Sequence, residues 1–362
     1  MRKLIRNLAA PILALFHAAT WSQEVPSLSA PVACEAGKTC LIQNYVDHGR
    51  GQGARDYRCG FLTYDGHRGI DIRVTDAAWV RQGVPVLAAA AGRVRAVRDG
   101  MPDISVLIAG KESIAGREGG NSVAIEHGNG WQTQYAHLRR GTVTVQPGDI
   151  VERGQVLGLV GLSGNTEFPH LRFEVRHQRR PVDPFVGLEP GAPCGLGKQP
   201  LWQPDALAAL AYIDTGLLDA GISGRLPSVV AGSVDRERAG RFTAASPTVI
   251  FWVQIFGARA DDLEEVRLLA PDGRVIAEQR GRIGRNLAQW LVYVGRPRGN
   301  GSWQDGTYRG EYRLYRGPGE REILSLAREE RIAPQEQPAA RLPPAALRLG
   351  DVAGVAPSRS TP

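Results

Sequence analysis

Short apolar runs separated by glycine-rich breaks dominate the chain from residue 61 onward. They fall at 84–91, 94–97, 104–108, 122–126, 133–136, 156–160 and 171–176. Each has strand length and is bounded by turn-forming residues. None shows the three-to-four-residue recurrence of an amphipathic helix. The pattern predicts an all-β assembly between residues 61 and 190. Within it, the small side chains of Val84 to Gly92 would let a second sheet approach closely. Pro147-Gly148 supplies a fixed φ followed by a residue tolerant of positive φ, which predicts a tight turn. Gly154 marks a second turn.

A second β pattern runs from about residue 226 to 332. The run 249–256 reads as a buried strand, and 266–269 with 274–277 flanks the hairpin signal Ala270-Pro271-Asp272-Gly273. Further strands are expected at 290–294 and 307–315. In the last, Tyr308, Tyr312 and Leu314 share one face by the period of two. Several short strands in this span predict an immunoglobulin-like sandwich with a docking or spacer role. Residues 191–225 read as a linker, with one short helix over 205–218 opened near Asp205 and closed near Gly216. The sandwich is expected to be dispensable for any binding by residues 47–190.

The ends differ in composition. Residues 1–22 carry Arg2, Lys3 and Arg6 ahead of an apolar run too short to span a bilayer, the pattern of a signal peptide; a retained anchor is the alternative. Residues 23–46 read as a leader. Residues 333–362, rich in Pro, Ala and Arg, predict a disordered tail. The signal implies a periplasmic or secreted protein.

Lys+Arg exceeds Asp+Glu by 44 − 37 = 7, and 40 of the 44 are arginine. These arginines are scattered rather than gathered in runs, so no nucleic-acid footprint is formed. The four cysteines, Cys34, Cys40, Cys59 and Cys194, predict two disulfides in an exported chain. Three pairings are possible. The favoured one joins Cys34 to Cys40 locally and Cys59 to Cys194 across the first domain. A site of four thiolates around zinc is the rival.

The candidate chemistry lies in three blocks between residues 67 and 174. The first is Gly66-His67-Arg68-Gly69-Ile70-Asp71, the second Tyr135-Ala136-His137-Leu138, the third Pro169-His170-Leu171-Arg172-Phe173-Glu174. His67 and Asp71 offer an imidazole nitrogen and a carboxylate oxygen, both zinc ligand types. In this order, the blocks resemble the lysostaphin/LytM-type zinc endopeptidases of bacterial cell walls, over roughly Asp47 to Pro184, under half the chain. The resemblance implies a lysostaphin-type antiparallel β domain, related to the duplicated hybrid motif, ahead of the sandwich. It further implies zinc held by His67, Asp71 and a third histidine. His137 and His170 would be catalytic non-ligands, and the substrate would be peptidoglycan peptides.

The third ligand position is Arg172, whose guanidinium is a permanent cation and no metal donor. The expectation is therefore a degenerate peptidase that binds wall peptides or regulates a partner such as a cell-wall amidase. Its Arg172 would take the metal's place and pair with Asp71 as a fork. An active zinc endopeptidase with a substitute third ligand is the alternative. Glu174 is one candidate substitute and His127 a weaker one. His177 is expected to face away, and His48 to be solvated.

Overall fold

The computed structural model describes residues 25–332, apart from 36, 50, 52, 76 and 231. The expected signal peptide and tail lie outside the described residues. Among these, no helix is long and apolar enough to cross a membrane. The chain is mostly antiparallel β-sheet, as the alternating runs predict.

The first part is built on β1 (Cys40–Asn44), β2 (Ile70–Val74), β3 (Pro85–Leu87), β4 (Gly92–Arg98) and β5 (Asn121–Gly128). It continues with β6 (Trp131–Leu138), β7 (Ile150–Val151), β8 (Val156–Leu159), β9 (His170–His177) and β10 (Arg180–Val182). The main sheet runs β1-β2-β9-β6-β5-β4-β7, with β10 paired to β9, while β3 and β8 pair separately. Alternation sets its faces. In β9, Leu171, Phe173 and Val175 point into the core, leaving His170, Arg172, Glu174 and Arg176 on the other face. Gly148 and Gly154 carry the expected turns at φ +100° and +80°.

Several details depart from the sequence reading. The run 104–108 is no strand: α2 (Val106–Ala109) forms there, after α1 (Ala77–Gln82). Ser105 Oγ accepts from Leu107 N and the Gly110 N–H closes on the Val106 carbonyl, so one capped turn replaces an unpaired strand. Only Pro85–Leu87 of the run 84–91 is strand. Ala88 and Ala89 bend away to bond the Gln155 carbonyl and the Tyr135 hydroxyl. Within the stretch read as a leader, β1 pairs at the sheet edge, and Leu28 and Val32 are buried in the same core. Both disulfides pair as favoured, Cys34 with Cys40 and Cys59 with Cys194.

The expected helix over 205–218 is shorter. α3 (Pro204–Ala209) is followed by β11 (Gly216–Ser223), so the second β unit begins ten residues before 226. The small hairpin β12 (Val229–Val230) and β13 (Ser233–Val234) and the turn α4 (Arg236–Ala239) come next. Then follow β14 (Thr248–Ala258), β15 (Leu263–Leu269), β16 (Val275–Arg282), β17 (Leu287–Pro297), β18 (Gly306–Arg316) and β19 (Arg321–Ile332), the last unread in the sequence. Sheets β11-β14-β17 and β16-β15-β18-β19 share one core, to which Phe251, Val253, Val266, Tyr308, Tyr312 and Leu314 belong. Gly310 makes the close contact between the sheets: a Cβ there would lie 2.2 Å from the Phe251 ring. Gly310→Ala is expected to lose about 3 kcal/mol of stability by overpacking, read as a lowered urea midpoint.

The two units that the sequence predicts are in contact with each other. Leu218 and Phe256, from β11 and β14, belong to the core of the first unit. The buried Arg73 of β2 donates to the Gly232 carbonyl at 2.5 Å and to Gln43 Oε1 at 2.7 Å. Cutting the chain between the units would therefore expose apolar surface and leave this guanidinium without one acceptor.

Candidate functional site

A turn, two strands and a strand end converge on one pocket. In the turn, Gly66 takes φ +73° and His67 N bonds the Tyr64 carbonyl. Asp47 holds it from the side, accepting from Gly66 N at 3.0 Å while its own N–H reaches the His67 carbonyl. The chain then enters β2 through Gly69, where a Cβ would lie 2.7 Å from the Phe173 carbonyl. Only glycine passes there. In the β2–β9 register, Asp71 stands opposite Arg172 and Arg73 opposite His170.

His137, next to last in β6, takes φ +64°, a left-handed conformation that a residue with a side chain takes only where its surroundings fix it. Its N–H bonds the Gly119 carbonyl and its carbonyl accepts from Gly161 N. That twist brings its ring within 4.7 Å of the His170 ring.

The four polar residues are almost wholly buried: His67 1%, Asp71 3%, His137 2% and His170 4% exposed. Asp71 Oδ1 lies 3.4 Å from His67 Nε2 and 3.5 Å from His170 Nε2. Asp71 Oδ1 and both His67 ring nitrogens have no hydrogen-bond partner, while Asp71 Oδ2 accepts from Asn44 Nδ2 at 3.0 Å. His137 Nδ1–H donates to the Ser163 carbonyl at 2.7 Å, and His170 Nδ1–H to the Phe168 carbonyl at 2.9 Å. Since carbonyls only accept, both rings carry their proton on Nδ1 and turn Nε2 inward.

Burial pushes His67 down to about 4, against the pull of Asp71. Burial, helped by His170, pushes His137 down to about 3. Burial alone would raise the Asp71 carboxyl, but His67, His170 and Arg172 outweigh it and hold it well below the usual carboxylate range. The pocket therefore pairs neutral His67 and His137 with an anionic Asp71 at neutral pH.

Arg172 corrects the expected fork. Its Nη1 donates to the Tyr64 hydroxyl at 3.0 Å, not to Asp71. The Tyr64 ring packs 4.3 Å from that of His67, so the guanidinium is tethered to the hydroxyl of the ring that lies against His67. From there its charge still reaches Asp71 and His67 through space. Asn44, rather than Arg172, braces the carboxylate. Neither Asn44 nor Tyr64 stood out in the sequence. Tyr64 lies three residues before His67, a spacing that only the turn makes meaningful.

The remaining candidates sit elsewhere. Glu174 is spent on Arg176 Nε at 2.8 Å. His127 bridges the Ala91 carbonyl and the Thr133 hydroxyl. His177 stacks on Trp131. His48 is not simply solvated, since its Nε2 lies 2.8 Å from Asp183 Oδ2, which raises its pKa.

A zinc ion would need three donors converging at coordination distance. The unpartnered His67 Nε2 and Asp71 Oδ1 supply two. Arg172 supplies a cation where the resemblance requires a lone pair. Among the described residues, no group of three or more His, Cys, Asp or Glu is disposed to hold a metal. The residues present do not fit the three-ligand catalytic centre.

A β domain whose sheet presents His67, Asp71, His137 and His170 in one pocket belongs to the class of metallopeptidase-type folds. Residues 65–184 match the model of peptidase family M23, a family of zinc metallopeptidases, and over that stretch the chain carries an M23 domain. The chain is 29% identical over 171 residues to the cell division protein DipM of Caulobacter vibrioides, covering 45% of this chain and 25% of that protein. It is 35% identical over 120 residues to the DD-carboxypeptidase/endopeptidase Mpg of Neisseria meningitidis, covering 33% of this chain and 22% of that protein. A zinc-containing peptidase of Vibrio cholerae is structurally similar at TM-score 0.26 and 28% identity, over 40% of this chain and 39% of that one. The chain thus spans about a quarter of the length of the curated relatives it matches.

Proposed function

We propose that this is an exported cell-wall protein whose M23 domain binds peptidoglycan peptides without cleaving them. It would act on the wall directly or by regulating a partner hydrolase such as an amidase. The single observation that supports this is Arg172, which the sequence resemblance puts at the third ligand position: it lies opposite Asp71 in the β2–β9 register and is anchored on Tyr64. A cation there both removes a donor and repels a dication. The relatives bearing peptidoglycan DD-endopeptidase names support the substrate class. Two disulfides support an oxidising compartment, periplasmic or secreted. Within this reading residues 47–190 form the peptidase-like domain and residues 226–332 most of an immunoglobulin-like sandwich that docks beside it.

One observation favours a second reading, an active zinc endopeptidase. His67 Nε2 and Asp71 Oδ1 are buried and unpartnered, and His170 Nε2 stands 3.5 Å from that same oxygen as a candidate substitute donor. Zinc content decides between the two. After equilibration with micromolar zinc and desalting, the wild-type chain is expected to retain far less than one zinc per molecule. Near-stoichiometric zinc that disappears in both His67→Ala and His170→Ala would overturn the non-cleaving reading and establish the second.

A further inference from the structure

A cavity of about 400 Å³ opens beside the buried histidines. Charged side chains on its lining are Arg68, Arg172, Arg176, Glu118 and Glu174, with His137 at its floor. These charges are unevenly satisfied. Arg176 is engaged by Glu174 and by Gln134 Oε1 at 2.9 Å. Glu118 is turned to the Gly116 backbone N–H. Arg68 is exposed and has neither an ion pair nor a hydrogen bond with any described residue. Arg172 has one neutral partner, the Tyr64 hydroxyl on Nη1, and no carboxylate of a described residue in ion-pair range. Two guanidinium groups thus face the same cavity with their donors largely unused.

An arginine that merely filled a lost metal site would turn its fork onto Asp71, which lies opposite it across the strands. Instead the Tyr64 hydroxyl engages one terminal nitrogen, and the side chain lines the cavity. A planar fork held in this way matches a carboxylate through two parallel N–H···O bonds. A neutral peptide carbonyl would use only one of them.

We propose that Arg172, seconded by Arg68, is the receptor for a free carboxylate of a wall peptide. The groove would then take peptide ends or free acidic side chains rather than an internal, uncleaved amide. This rests on the non-cleaving reading above and names its ligand: what was a bond-cutting position has become an anion-recognition position. Arg172 would read the charge and Arg68 would strengthen the attraction, set against the carboxylates of Glu118, turned to backbone, and Glu174, paired with Arg176.

The test uses the full chain and stem peptides released from purified peptidoglycan, titrated calorimetrically. Three forms are compared: unmodified, amidated at the terminal carboxyl, and amidated at every carboxyl. The fully amidated form is expected to bind roughly tenfold or more weakly than the unmodified form, the scale of a bidentate charged contact. The singly amidated form assigns the contact to the terminal or the side-chain carboxyl. Arg172→Gln should erase the difference between the forms while keeping the wild-type melting midpoint. Arg172→Lys should retain part of it as a point charge. Equal affinity for all three forms, or an unchanged preference in Arg172→Gln, overturns the proposal while leaving the non-cleaving reading in place. Zinc measured in the same samples separates the two failures. Stoichiometric zinc with chelator-sensitive binding refutes the non-cleaving reading itself, and absence of any peptide binding refutes both.

Discussion

Arg172→His is expected to raise zinc affinity by roughly three orders of magnitude, as a third donor is gained and a positive charge removed. The geometry favours a large gain. His67 Nε2 and Asp71 Oδ1 already lie 3.4 Å apart with no hydrogen bond to break, in a carboxylate–imidazole arrangement held by β2 and its preceding turn. Asn44 holds the far carboxylate oxygen, so the near one is oriented in advance. The register sets position 172 directly opposite Asp71, and alternation puts its side chain on the pocket face. Two readouts check this. Zinc per chain after desalting should approach one in the variant, and zinc should raise its melting midpoint. At a hundredfold excess over Kd the added stability is about 2.7 kcal/mol. A variant that gains no metal and no stabilisation would show that a ring at position 172 does not reach the His67–Asp71 pair.

How much of this was legible in the sequence follows from which interactions are local. The three histidine blocks and Asp71 were legible because each sits on a strand or turn whose pattern is short-range, and the structure brings them into one pocket. The partner of Arg172 was not. On charge alone Asp71 is the obvious mate, and the sequence holds nothing to show that Tyr64, carried by a turn, reaches the guanidinium first while Asn44 arrives from the edge strand β1. Edge pairing of β1 was hidden for the same reason: Cys40 to Asn44 is one short run among glycines, and only β2 gives it a ladder. The helix expected over 205–218 failed differently. Its apolar spacing suits a helix up to Ala209, but Leu217 and Leu218 find more burial against β14. Long-range pairing overrode local pattern there.

Arg73 carries the second large effect, and one that no local pattern announced. It is 1% exposed, and burial pulls its guanidinium down to about 9, eased slightly by Asp219. It stays charged at neutral pH because its donors are spent on Gln43 Oε1 and the Gly232 carbonyl and its plane lies 4.5 Å from the Phe168 ring. The same Gly232 carbonyl also accepts from Gln254 of β14, so Arg73 ties the first sheet to the second unit at one oxygen. Phe168 links this tie to the pocket. Its ring packs 4.8 Å from that of His170, and its carbonyl accepts the hydrogen bond from His170 Nδ1–H. Arg73→Ala would open a cavity and strip Gln43 of its partner, with a loss of about 3 kcal/mol expected. Arg73→Met, which keeps most of the volume and removes the buried charge, should lose only about 1 kcal/mol. Beyond stability, Arg73→Ala should free the Phe168 ring and shift the His170 ring resonances in an NMR spectrum of the folded variant. Limited proteolysis should cut between the units faster than in wild type. Unchanged His170 resonances together with wild-type stability would mean that the second unit leans on the pocket without holding it, and that residues 47–190 could work alone after all.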